Sequence, residues 1–271
     1  VKNTYTEETP PANGFQFSLT SPTTMKGEDD WAWSQVSIWN CTGTVDGKQN
    51  TDFDGFSIDG KLQADATARD KLDLSGEGLG VTVNLAQGSG SAISASGAAS
   101  MQVRGGESVV GSQYDDLFKV TVSDAVGNAY DGGSGGNDRL DYSALTETSP
   151  ILVQLQSTGN ASITRTVASV NYQDTVQRID TLTGTAGNDT VKSLVAGWTV
   201  QAGGGSADLL DLSKQAGGSN ETGDLLVSLR AGTASKTGVS MAISGFEQVY
   251  GGTGNDTFRG DNENNLFDGK G

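Results

Sequence analysis

The chain has no histidine, one cysteine, four prolines and only 17 basic residues among 271. Each shortage excludes something. Without histidine there is no His-ligated zinc, no H-E-x-x-H metalloprotease helix and no Ser-His-Asp arrangement. A single cysteine, Cys41, rules out an internal disulfide and reads as a buried structural thiol. With 33 acids against 17 bases, the net charge is −16. That balance argues against a nucleic-acid partner, because holding a phosphate backbone needs basic patches. No apolar run reaches the length of a membrane span, and no secretory signal peptide is visible. Gly132-Gly133-Ser134-Gly135-Gly136 matches G-x-S-x-G, but no base is available to activate Ser134. No phosphate-binding loop is present, and among 33 acids a pair of carboxylates has no specificity as a glycosidase signal. The chain reads as a non-enzyme.

Glycine is abundant, with 39 residues and no collagen period, and no segment sustains a 3.6-residue apolar rhythm. Short alternating runs separated by turn residues indicate an all-β protein. The most informative run is Gly251-Gly252-Thr253-Gly254-Asn255-Asp256-Thr257-Phe258-Arg259. It fits G-G-x-G-x-D-x-U-x, the half-turn of a calcium-binding parallel β-roll. Glycines permit the tight turn, the aspartate supplies a hard anionic oxygen, and the apolar residue two places on points inward from a short strand.

Related phrases recur. Asp70-Lys71-Leu72-Asp73, Asp138-Arg139-Leu140-Asp141 and Asp208-Leu209-Leu210-Asp211 are offset by 68 and 70 residues. Alternating strands at 81–85, 151–155 and 225–229 follow them. Second halves end in Asp115-Asp116, Asn188-Asp189 and Asn255-Asp256, each with an acid nine places before the final aspartate. The organisation is a region 1–63, then three repeats of about seventy residues at about 64–131, 132–202 and 203–271. The phrase is intact at 251–259 and nearly so at 184–192. It weakens at 133–141, 203–211 and 111–119, and 260–268 is a degenerate copy in register with its predecessor.

These residues resemble the RTX (repeats-in-toxin) family of secreted bacterial proteins over roughly 64–271. The resemblance implies a parallel β-roll or β-helix solenoid with calcium-binding turns. It implies Ca2+ as the cofactor, held by Asp116, Asp138, Asp189, Asp208 and Asp256. Gly184, Gly251, Gly252 and Gly254 would contribute at the turns, and Asp131, Asp261 and Asp268 are further candidates. It also implies type I secretion with a C-terminal signal, which is not recognisable here, and a place on the surface of a Gram-negative cell. Expected partners are calcium, other copies in arrays or filaments, and surface glycan. The expected function is a structural or adhesive module that folds outside the cell on binding calcium. The alternative is an accessory module of a secreted hydrolase or toxin. The start at Val1 and the end at Gly271 read as a fragment of something longer.

Residues 1–60 stand outside the repeat and hold Trp31, Trp33 and Trp39. They read as a β-rich cap, with an aromatic platform for sugars as the sharper alternative and a linker or pairing arm as a third. Asn50, Asp52 and Asp54, followed by Gly55, match the opening of an EF-hand loop, but Lys61 stands where the bidentate carboxylate belongs.

Overall fold

The computed structural model describes residues 15–19, 39–43, 71–75, 77–86, 90–94, 100–103, 108–122, 125–145 and 149–271. Side chains are described for 74–75, 77–86, 91, 108–122, 125–145 and 149–271. Trp31, Trp33 and the Asn50, Asp52, Asp54 loop lie outside them. The described residues form strands and no helix, hence none long and apolar enough to cross a membrane.

The strands fall into two large sheets, of twelve and eleven strands. β1 (Phe15–Leu19) and β2 (Trp39–Gly43) pair in parallel and lead into β3 (Lys71–Asp73) on the twelve-stranded sheet. An antiparallel meander follows on the other sheet: β4 (Val81–Asn84), β5 (Gly90–Ser94) and β6 (Ser100–Val103). β7 (Ser108–Val110), β8 (Leu117–Lys119) and β9 (Ala129–Asp131) then alternate between the sheets. The same order recurs from β10 (Arg139–Asp141). Its meander is β11 (Ile151–Ser157), β12 (Asn160–Val167) and β13 (Val170–Gln177), followed by β14 (Thr181–Thr183), β15 (Thr190–Lys192) and β16 (Thr199–Gln201). It recurs again from β17 (Leu209–Asp211). Here the meander is β18 (Leu226–Ser228), β19 (Thr233–Lys236) and β20 (Val239–Ser244), followed by β21 (Gln248–Tyr250), β22 (Thr257–Arg259) and β23 (Leu266–Asp268).

Each set of seven strands visits the sheets five times. Because five is odd, the next set begins on the opposite sheet: β3 and β17 lie on the twelve-stranded sheet and β10 on the other. Apart from the middle strand of each meander, every pairing is parallel in sense. The meanders supply the antiparallel partners, closed by tight turns. Gly159 (φ 73°), and Ala168 with Ser169 (φ 49° and 68°), provide the left-handed geometry that two-residue hairpins demand.

The short strands are three residues long, and their middle residue points inward. These middle residues stack in register from strand to strand. Val153, Val191, Leu210, Val249 and Phe267 form one row. Val83, Phe118, Leu140, Leu182, Val200 and Ile243 form another. Both rows belong to one apolar cluster, closed near its end by the stacked Phe258 and Phe267 rings at 5.4 Å. Trp198 is buried in it and donates its indole N–H to Ser157 O at 2.9 Å. A row so regular leaves little room to collapse after truncation. Leu140→Ala is expected to cost about 2–5 kcal/mol. Leu152→Ala, on the outer face at 37% exposure, is expected to stay within about 0.5 kcal/mol. Urea unfolding of both variants measures the contrast.

Candidate functional site: two columns of stacked acids

Where the chain passes from one sheet to the other, it turns through short glycine-rich corners. Asp116, Asp189 and Asp256 sit at equivalent corners, and each folds back over its own turn. Asp116 Oδ2 accepts the Ser112 N–H at 2.6 Å, Asp189 Oδ2 the Thr185 N–H at 2.6 Å, and Asp256 Oδ2 the Gly252 N–H at 2.9 Å. Asn265 accepts the Asp261 N–H at 3.0 Å in the same way. This geometry explains the glycine five places earlier. A Cβ on Gly184 would lie 2.4 Å from Asp189 Oδ2 and 2.1 Å from Ala202 O of the next corner. A Cβ on Gly251 would lie 2.2 Å from Asp256 Oδ2. The glycine-to-aspartate spacing is thus demanded by the turn itself. Gly252 and Gly254 approach the backbone of the corner beneath, with Cβ positions 2.3 Å from Glu221 O and 2.6 Å from Gly223 O.

The second oxygen of each aspartate reaches the backbone at the start of its own meander. Asp116 Oδ1 accepts the Val81 N–H at 2.8 Å, Asp189 Oδ1 the Ile151 N–H at 2.7 Å, and Asp256 Oδ1 the Leu225 N–H at 3.0 Å. In two places the relay continues. The Asp116 N–H donates to Asp138 Oδ1 at 2.9 Å, and the Asp138 N–H to Asp180 Oδ2 at 2.9 Å. Likewise the Asp189 N–H donates to Asp208 Oδ1 at 2.6 Å, and the Asp208 N–H to Glu247 Oε2 at 2.9 Å. The result is two columns, Asp116–Asp138–Asp180 and Asp189–Asp208–Glu247. They lie at opposite corners because successive strand sets exchange sheets.

Stacked acids repel, and burial removes the water that would solvate them. Burial, opposed in part by the Asp116 N–H and reinforced by the neighbouring acids, raises the Asp138 carboxyl to about 7. The same causes, with Asp189 and Glu247 as neighbours, raise Asp208 to about 6. Asp116 and Asp189 are raised as well, chiefly by burial, with their amide donors pulling the other way. Asp208 is 1% exposed, and its Oδ2 is buried with no hydrogen-bond partner.

The remaining sequence candidates lie outside the columns. Asp131 accepts the Gly133 N–H and pairs with Arg178. Asp268 accepts the Lys270 N–H and pairs with Lys270 Nζ at 2.8 Å, which holds its carboxyl low. Asp261 is held low by the Glu263 N–H and the Asn265 amide. These are strand-end and turn carboxylates of the kind that cap a local backbone. Among the described residues, no three acidic side chains converge on one point as a metal cage. No family model matches the chain, and no curated protein matches it.

Two ion pairs with a buried acid were not anticipated from the sequence. In β12, Arg165 is 2% exposed. It clasps Asp174 of β13 with Nε at 2.6 Å and Nη2 at 2.8 Å, while Tyr142 Oη donates to the same carboxylate at 2.7 Å. In β19, Lys236 Nζ meets the buried Glu221 Oε2 at 2.5 Å. Their sequence signal is faint: an isolated cation on the inward face of a meander strand.

Gly184→Ala is expected to cost about 1–3 kcal/mol, as overpacking does. Gly217→Ala, with open space around it, is expected to be neutral or to stabilise by up to about 1 kcal/mol. Denaturant melts distinguish the two. For pH, Asp138 and Asp208 have folded values above their unfolded ones. Their favourable contribution is therefore complete in acid and is lost as pH rises through about 6 to 7. The metal-free melting temperature is expected to fall between pH 5 and pH 8. Asp208→Asn should flatten that slope and raise stability at pH 8.

Proposed function

We propose that this chain is a calcium-stabilised β-roll module of the RTX kind, serving as a structural or adhesive segment of a secreted bacterial surface protein. The alternation of parallel strands between two sheets supports the β-roll. The columns of buried acids support the metal. The observation that carries the reading is Asp208, a desolvated carboxylate with an unpartnered oxygen, flanked by Asp189 and Glu247. A buried polar atom without a partner is costly, and a hard cation satisfies it directly. Asp208 and Asp138 are the residues that would hold calcium, with the glycine-rich corners 184–189 and 202–208, and 111–116 and 132–138, closing around it. Asp116, Asp189 and Asp256 would keep their amide bonds and shape the corners. A bound cation would offset the repulsion that raises Asp138 and Asp208, and so convert a destabilising column into a stabilising one. Such a switch suits a protein that crosses a calcium-poor cytosol and works where calcium is abundant.

Circular dichroism melts with millimolar calcium and with chelator test the proposal. At free calcium one hundred times the dissociation constant, each independent site should add about 2.7 kcal/mol. Asp208→Asn should lose the increment of its own column and retain that of the other. Equal melting with and without calcium at pH 7.5 would overturn the reading.

A further inference from the structure

The three strand sets share one position, equivalent by register, that the acid columns do not use. Glu77 lies in the connection from β3 to β4, four residues before Val81; Glu221 lies four residues before Leu225; and Glu147 stands four residues before Ile151. Opposite these first meander residues, on the second strand, the ladder places Ser94 across from Val81 and Arg165 across from Ile151. Ser235 is opposite Leu226, so Lys236 is across from Leu225. Directly opposed residues share a face of the sheet. Val81, Ile151 and Leu225 are all buried, and so is Arg165.

Two sets fill it with a cation and the first with serine. The consequence is visible at the glutamates. Glu221 is held by Lys236 Nζ at 2.5 Å and by the Gly223 N–H at 2.9 Å. Glu77 is 2% exposed, and both its carboxylate oxygens are buried without a hydrogen-bond partner among the described residues. Burial raises its carboxyl to about 7.

We propose that Glu77 is the carboxylate of a cation site that accepts a hard metal ion in the place where Lys236 lies in the third strand set. Two free oxygens on one carboxylate suit bidentate coordination of such an ion. Three residues on, the backbone packs tightly against the next corner: a Cβ on Gly80 would lie 2.1 Å from Asp115 O. This site is separate from the acid columns and does not rest on calcium binding there.

The test uses the full chain, Glu77→Gln and Ser94→Lys. Equilibrium dialysis against calcium chloride, and separately against rubidium chloride as a potassium analogue, counts bound ions. Thermal melts in choline buffer with chelator measure stability in the absence of metal. The wild type is expected to hold one more ion, of one of the two kinds, than either variant. Ser94→Lys, which supplies the missing cation from within the chain, is expected to melt about 3 °C above the wild type without metal. Equal counts of both ions in all three chains, or a Ser94→Lys melt no higher than the wild type, would overturn the proposal. If calcium binds, and both calcium and rubidium bind equally to all three, the Glu77 site fails while the column reading stands. If no calcium binds at all, the column reading fails. The rubidium count and the Ser94→Lys melt then decide Glu77.

Discussion

The hydrogen bond from a backbone amide to a carboxylate in the neighbouring corner is the interaction on which this architecture depends. Each corner exposes N–H groups that no strand can pair, and a buried orphan donor is costly. Asp116, Asp189 and Asp256 each satisfy two such donors, one in their own turn and one at the start of a distant meander. A single side-chain type therefore shapes the turn and joins segments more than thirty residues apart. Charge-assisted bonds of this kind are stronger than neutral ones, which suits a core built mainly from single apolar residues on three-residue strands.

The same device creates a problem. Satisfying amides with carboxylates stacks negative charges in a dry place, and the amides neutralise them only in part. The column members Asp138 and Asp208, each with one oxygen in the relay, show the imbalance as carboxyls raised to about 7 and about 6. The meanders meet a related problem differently. Arg165 and Lys236 bring a counter-charge from inside the chain, whereas Glu77 has none among the described residues. A resident cation is one solution to this electrostatic constraint; the proposed bound ion would be a second, and it would make stability depend on the surroundings.

The odd number of sheet visits in each strand set has a geometric consequence. Equivalent acids of successive sets emerge at opposite corners, so their columns are separated and do not merge into one longer line of negative charge. Any surface feature carried by a meander likewise alternates between the two faces.

Much of this was legible in the residues. The absence of a helical period and the alternating runs indicated an all-β protein. The apolar residue after each aspartate marked the inward position, and the runs at 81–85, 151–155 and 225–229 marked the first strand of each meander. Local stereochemistry decides such matters, because the two-residue alternation of a strand and the glycine-to-aspartate spacing of a corner are written in consecutive positions. What the sequence could not reveal was which sheet each strand joins, or that Asp116 N–H meets Asp138 while Val81 N–H meets Asp116. It also could not distinguish Asp138 and Asp208, stacked and desolvated, from Asp131, Asp261 and Asp268, which cap their own turns. Nor did it show that Ser94 occupies the place of Arg165 and Lys236. Those distinctions arise from register between segments far apart in the chain. Desolvation and charge stacking are properties of neighbours in space, and only the tertiary structure chooses the neighbours.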